Sequence, residues 1–221
     1  MHRVAGSFSW PFRGPWQSRF AVGSFLVLLL PIAFVPLLGY AIAASRAAQT
    51  DGSLGPPPIR LSARLFVDGF WTAVVLIIAT APFALALNPL AAAIHGGHLV
   101  PSSDASLSDA YAYVAATSLL ALPLGLVLLL LMPHATSRFA ATGRPADLFN
   151  VPKTLNAVAR DFPSWNVAAA AIVTGWALGV ACVGLFCVGV LPGVFYAILV
   201  SAHASATLQA PVAARTHIPA G

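Results

Sequence analysis

Glutamate is absent from this 221-residue chain, lysine occurs once and cysteine twice. Charged residues make up 8% of the sequence, against about 25% in soluble globular proteins. That scarcity excludes a solvated globule of ordinary composition. The six Asp are scattered, and no pair of carboxylates, no nucleophile with a neighbouring base and no phosphate-cradling glycine loop is spaced for catalysis. An enzyme is therefore not expected. Cys182 and Cys187 both lie in one apolar run, five residues apart. On a helix that separation puts them on different faces, so they read as small packing residues and not as a disulfide.

Apolar residues are what the chain has instead, at 59% of the total. They gather in four runs, at 20–44, 66–94, 111–132 and 166–208, and Asp68, near the start of the second, is the only Asp, Lys or Arg inside any of them. Runs of about 20 or more apolar residues match a hydrocarbon layer of ~30 Å. The expected fold is a single all-α domain over 1–221: a polytopic transmembrane helix bundle in the lipid bilayer, with four to six crossings. The formal net charge of +5 comes from basic residues placed singly in connections. This pattern suits anionic headgroups and topology, and excludes a nucleic-acid partner.

Charge also predicts the threading. The connections at 45–65 (Arg46, Arg60, Arg64) and 133–165 (Arg138, Arg144, Lys153, Arg160) are basic. The connection at 95–110 has no Lys or Arg but holds Asp104 and Asp109. The first two are expected in the cytoplasm and the third outside. Residues 1–19 lack the pattern of a cleaved leader and are read as retained. The run 20–44 contains Pro31 and Pro36 and has basic residues on both flanks. It is either one kinked span or a broken-helix hairpin that returns to its own side, and the charge favours the hairpin. The run 166–208 is long enough to cross twice, with a turn expected at 189–193.

Two further features are local. Leu148, Val151, Leu155, Val158 and Phe162 recur at helical spacing among polar residues, which predicts an amphipathic helix at about 151–162 lying in the headgroup region. Trp10, Trp16, Trp71 and Trp165 fall near run boundaries, where aromatic belts form. There is also an internal echo. Pro36, Tyr40-Ala41-Ile42 and Ser45 match Pro192, Tyr196-Ala197-Ile198 and Ser201 at identical spacing, with Gly23 and Gly179 in the same register. Either a duplicated element or coincidence among apolar segments explains it.

Candidate chemistry is sparse. His95 and His98, with Asp104 and Asp109, are the nearest approach to a metal site, but their irregular spacing and the two intervening glycines point to a hydrated loop and no metal. His203 lies near the end of the last run and is the weak candidate for a haem or pigment ligand. With no paired histidine, no cofactor is expected. Asp68 is read as a capping or interface residue at headgroup depth beside Arg64, one turn away. Gly175, Gly179, Gly189 and Gly193 form small-xxx-small patterns that allow helix packing.

In order along the chain, Gly39-Tyr40, Arg46, the Pro56–Pro58 run and Leu65-Phe66-Val67-Asp68-Gly69 come first. Pro133-His-Ala-Thr-Ser-Arg138-Phe-Ala-Ala141 and Tyr196-Ala-Ile-Leu-Val-Ser-Ala-His203 follow. This succession resembles a bacterial and archaeal membrane family known as domain of unknown function 4013. The triple proline departs from the family's usual Leu-Pro-aromatic. The resemblance implies an all-helical protein of the inner (plasma) membrane and supplies no catalytic residues. The function expected is that of an accessory or scaffolding subunit packed against a partner membrane protein. A small-solute transporter or channel is the alternative, and a pigment- or haem-associated subunit a third reading.

Overall fold

The break within the first apolar run falls at Leu29. The computed structural model describes residues 2–94, 107–184 and 189–209, with backbone alone at 2–5, 107–109 and 183. All described secondary structure is helical, in the order α1 (His2–Ser9), α2 (Trp16–Leu28), α3 (Leu30–Asp51), α4 (Ala63–Ile94), α5 (Leu107–Thr142), α6 (Ala146–Phe149), α7 (Val151–Arg160), α8 (Phe162–Ala181) and α9 (Val190–Ala206). Five of these, α3, α4, α5, α8 and α9, are long and apolar enough to cross a membrane. The protein is an all-α, multi-pass membrane helix bundle.

Leu29 leaves the helical region (φ −88°, ψ 23°), and Pro31 in the next turn has no N–H to continue the ladder. The chain reverses there. Arg13 Nη1 donates to the carbonyl of Gly52 at 2.8 Å, whereas along one straight helix those residues would be about 58 Å apart. Phe195 touches both arms, with Phe20 edge-on at 5.5 Å and Tyr40 stacked at 5.8 Å. The segment is thus a broken-helix hairpin whose two ends lie together. Its first arm, α2, has 13 residues, about 20 Å, and falls short of the hydrocarbon thickness.

By contact, the chain divides into two units: 1–73 with 131–221, and 74–130. In the first unit α9 is the central helix. Trp10, Leu37, Tyr40, Ala44, Leu65, Phe195, Leu199 and Ala202 form one buried cluster around it. The halves of the sequence echo are neighbours here. Tyr40 lies on Phe195, and His203 sits beside Gly52. The order is the same along both helices, so α3 and α9 run parallel. Helix α8 packs antiparallel on α9: Ala168 and Ala171 join Ala204 in a second cluster, and Gly179 faces Gly193 further along.

The second unit is the apolar body of α4 and α5. Among the described residues its buried positions are alanines: Ala91, Ala92, Ala112 and Ala116. Leu85 and Leu122 are 79% and 73% exposed within the protein. The hydroxyls of Thr80, Thr117 and Ser118 each donate to a carbonyl one turn back, at 2.7–2.8 Å. Lipid therefore meets no unsatisfied hydroxyl at these three positions.

Four sequence expectations need correcting. Residues 190–193 of the last run are helix and not turn: α8 ends at Ala181, a 3₁₀ turn follows at Cys182–Gly184, Gly189 is the N-cap of α9, and Pro192 sits in its first turn, where its missing N–H costs no helical bond. Helix α5 runs on past Met132 to Thr142, because Ala135, Ser137, Arg138, Phe139 and Ala140 are buried. It closes at Gly143, whose positive φ of 68° permits the left-handed cap. Helix α3 likewise carries Arg46 within its last turns. Trp10 is fully buried, so it belongs to the core and not to an aromatic belt.

Candidate functional site

Helices α3 and α4 cross at glycine on glycine. A Cβ on Gly39 would overlap the carbonyl of Leu65, and one on Gly69 the carbonyl of Val35. Only hydrogen fits on either side, so the backbones touch. The side chains next along each helix are then brought face to face. Arg46, two turns beyond Gly39, donates from Nη2 to Asp68 Oδ2 at 3.0 Å. Arg64 Nε is farther from the same oxygen, at 3.9 Å. The partner read from sequence is therefore the weaker of two. Arg46 is the one that sequence reasoning missed, although its heptad distance from Gly39 places it on the same helix face.

From that pair the polar contacts spread to α5. Arg46 Nε donates to the carbonyl of Ala140 at 2.9 Å, and Gln49 Nε2 to the carbonyl of Ser137 at 2.9 Å. Arg138, buried, donates to Thr154 Oγ1 at 2.6 Å and to the carbonyl of Asp147 at 3.2 Å. It thereby ties the end of α5 to α6 and α7. Asn150 caps α7 by accepting from the Lys153 amide at 3.0 Å. Helix α7 buries Thr154 and Val158 and exposes Val151 and Leu155, as a helix lying along the headgroup layer does. Gln49, Ser137 and Thr154 gave no signal in the sequence, being ordinary polar residues that acquire partners only through the fold.

Beside the Arg46–Asp68 pair opens a pocket of about 170 Å³, lined by Tyr40, Arg46, Pro57, Arg60, Arg64 and Asp68 among others. Tyr40 OH donates to the Pro57 carbonyl at 2.9 Å, fixing the proline-rich wall. Ser62 caps the first turn of α4 by accepting from the Leu65 amide at 3.3 Å.

The other predicted residues are dispersed. His203 Nδ1 lies 2.8 Å from Ser7 Oγ, and its ring packs 5.0 Å from that of Trp10. One of its nitrogens is thus already engaged by a serine. Tyr196 OH donates to the Phe8 carbonyl at 3.1 Å. The two tyrosines of the echo therefore play the same part, each binding a backbone carbonyl outside its own helix. Gly179 and Gly193 face each other at the α8–α9 crossing, Gly175 abuts Val200, and Gly189 is the N-cap of α9. Among the described residues no three metal-ligating side chains cluster. His95, His98, Asp104 and Cys187 lie outside the described residues.

The family model described as a protein of unknown function (DUF4013) matches residues 22–193. That is most of the chain, and the protein belongs to this family. No curated protein and no solved structure matches it. The resemblance read from the short motifs is therefore correct. Those motifs (Gly39-Tyr40, Asp68-Gly69 and the Arg138 element) are the segments that meet in the α3–α4–α5 contacts.

Proposed function

We propose that this member of the DUF4013 family is a non-catalytic scaffold of the cell's inner membrane, an accessory subunit that packs against a partner membrane protein. The observation that carries this reading is the α4–α5 pair. The apolar windows of these helices are only 11% and 6% buried within the chain. Helix α4 has 32 residues, about 48 Å at 1.5 Å per residue, well beyond a ~30 Å hydrocarbon layer. Apolar surface of that length calls for tilt or for a protein neighbour to cover it. The basic connections favour the cytoplasmic side for the end bearing Arg46, Arg64 and Arg138. A transport path has less support, since Trp10, Leu37, Tyr40, Phe195 and Leu199 fill the space around α9.

Photo-crosslinking in native membranes tests this. A photoreactive residue at Leu85 or Leu122 is expected to give one discrete protein adduct, and that partner should co-purify stoichiometrically in mild detergent. Lipid adducts alone, with a monomer on purification, would reject the scaffold. Solute-dependent thermal stabilisation of that monomer would favour transport.

A further inference from the structure

We propose that the pocket beside Arg46 and Asp68 binds a phosphate group, carried by an anionic phospholipid or present as a free anion. Three guanidiniums, those of Arg46, Arg60 and Arg64, line it with a single carboxylate, Asp68. That leaves an excess of two positive charges. The carboxylate is already taken, because Asp68 Oδ2 receives Arg46 Nη2 at 3.0 Å with Arg64 Nε at 3.9 Å. Its charge is offset within the protein, and it holds Arg46 in place. Arg46 is anchored a second time through Nε on the Ala140 carbonyl at 2.9 Å, so this guanidinium is pre-organised at the pocket wall. Arg60 and Arg64 are exposed at the pocket. Guanidinium forks match phosphate oxygens in geometry as well as charge.

Two further features point the same way. Ser62 lines the pocket and caps α4, a helix of 32 residues, so the positive end of that helix lies at the pocket and favours an anion. The Pro56–Pro58 wall is stiff and pinned by the Tyr40 hydroxyl, which lowers the cost of holding the cavity open. The setting favours a lipid source. Leu61 is 71% exposed, and Phe66 and Phe70 also face outward just along the chain from the arginines. A basic pocket bordered by exposed apolar side chains suits a headgroup whose acyl chains continue along α4. This inference does not depend on whether a partner protein covers α4 and α5.

The test uses the full chain, purified in a neutral detergent, and reads its thermal unfolding midpoint against added dioctanoyl phosphatidylglycerol or inorganic phosphate. Saturable stabilisation by the lipid is expected. The Arg60→Gln/Arg64→Gln double variant should weaken the apparent affinity about tenfold or more. Lys153→Gln/Arg160→Gln, which removes the same charge elsewhere, should leave it unchanged. An equal response to inorganic phosphate would support the site and assign it to a soluble anion. No saturable shift with either probe would overturn the proposal. So would wild-type affinity in the Arg60/Arg64 variant, or an equal loss in the Lys153/Arg160 control.

Discussion

Gly39 and Gly69 lie against each other where α3 crosses α4, each leaving room for nothing larger than hydrogen. The contact acts as a register pin. It allows the two backbones to touch, and it brings Arg46 of one helix onto Asp68 of the other.

Enlarging either glycine should therefore be costly. Gly39→Val or Gly69→Val is expected to lose about 3 kcal/mol or more, because the obstructing atoms are backbone and cannot rotate away. Gly125 is the control: a Cβ there meets nothing within 4 Å. Gly125→Ala should be neutral or stabilising by about 0.5–1 kcal/mol. Thermal unfolding in detergent checks both.

A double-mutant cycle on Arg46 and Asp68 should give non-additive losses. Each single change, Arg46→Gln or Asp68→Asn, strands a partner; Asp68 is buried, whereas the Arg46 side chain is 26% exposed. Singles of about 1–3 kcal/mol are expected, with Asp68→Asn limited by water reaching Arg46, and a double that costs clearly less than their sum. Additive losses would show that the pair is not coupled.

The hairpin at Leu29 makes a topological prediction. Gln17 and Leu54 are both exposed beside the joined ends of α2 and α3. In a chain stripped of its two cysteines, Gln17→Cys and Leu54→Cys should both react with a membrane-impermeant maleimide from the same side of sealed vesicles. Labelling from opposite sides would restore a single crossing.

Phe195 is the residue on which α2 and α3 converge. Phe195→Ala should cost about 3–5 kcal/mol. Gly23→Ala should also destabilise on its own, since its methyl would run into the Phe195 ring. Combined with Phe195→Ala it should do far less damage, because the cavity accepts the methyl.

The tyrosines of the echo should behave alike. Tyr40→Phe and Tyr196→Phe each remove one hydrogen bond to a carbonyl, of Pro57 and Phe8 respectively. Each should lower stability by about 1 kcal/mol, with an additive double variant.

Much of the fold was legible in the sequence because a bilayer imposes one-dimensional rules. Length, hydropathy and the distribution of Arg act within a single segment, so the helical runs, the α7 amphipath and the break near Pro31 could be read directly. Two failures were tertiary. Trp10 reads as a belt residue by position, yet it is buried by His203 and its neighbours. The polar end of α5 reads as a loop, yet it stays helical because its carbonyls and side chains find partners on α3 and α7.

The sequence by itself determined that this chain lives in hydrocarbon, as helices, within one family. Tertiary structure alone decided which glycines touch, which arginine holds Asp68, and that a pocket with excess positive charge lies beside them. The physical reason is range. Apolar burial in lipid follows from composition along the chain, whereas an ion pair or a backbone crossing depends on two segments meeting at one register, and that is set only when the helices pack.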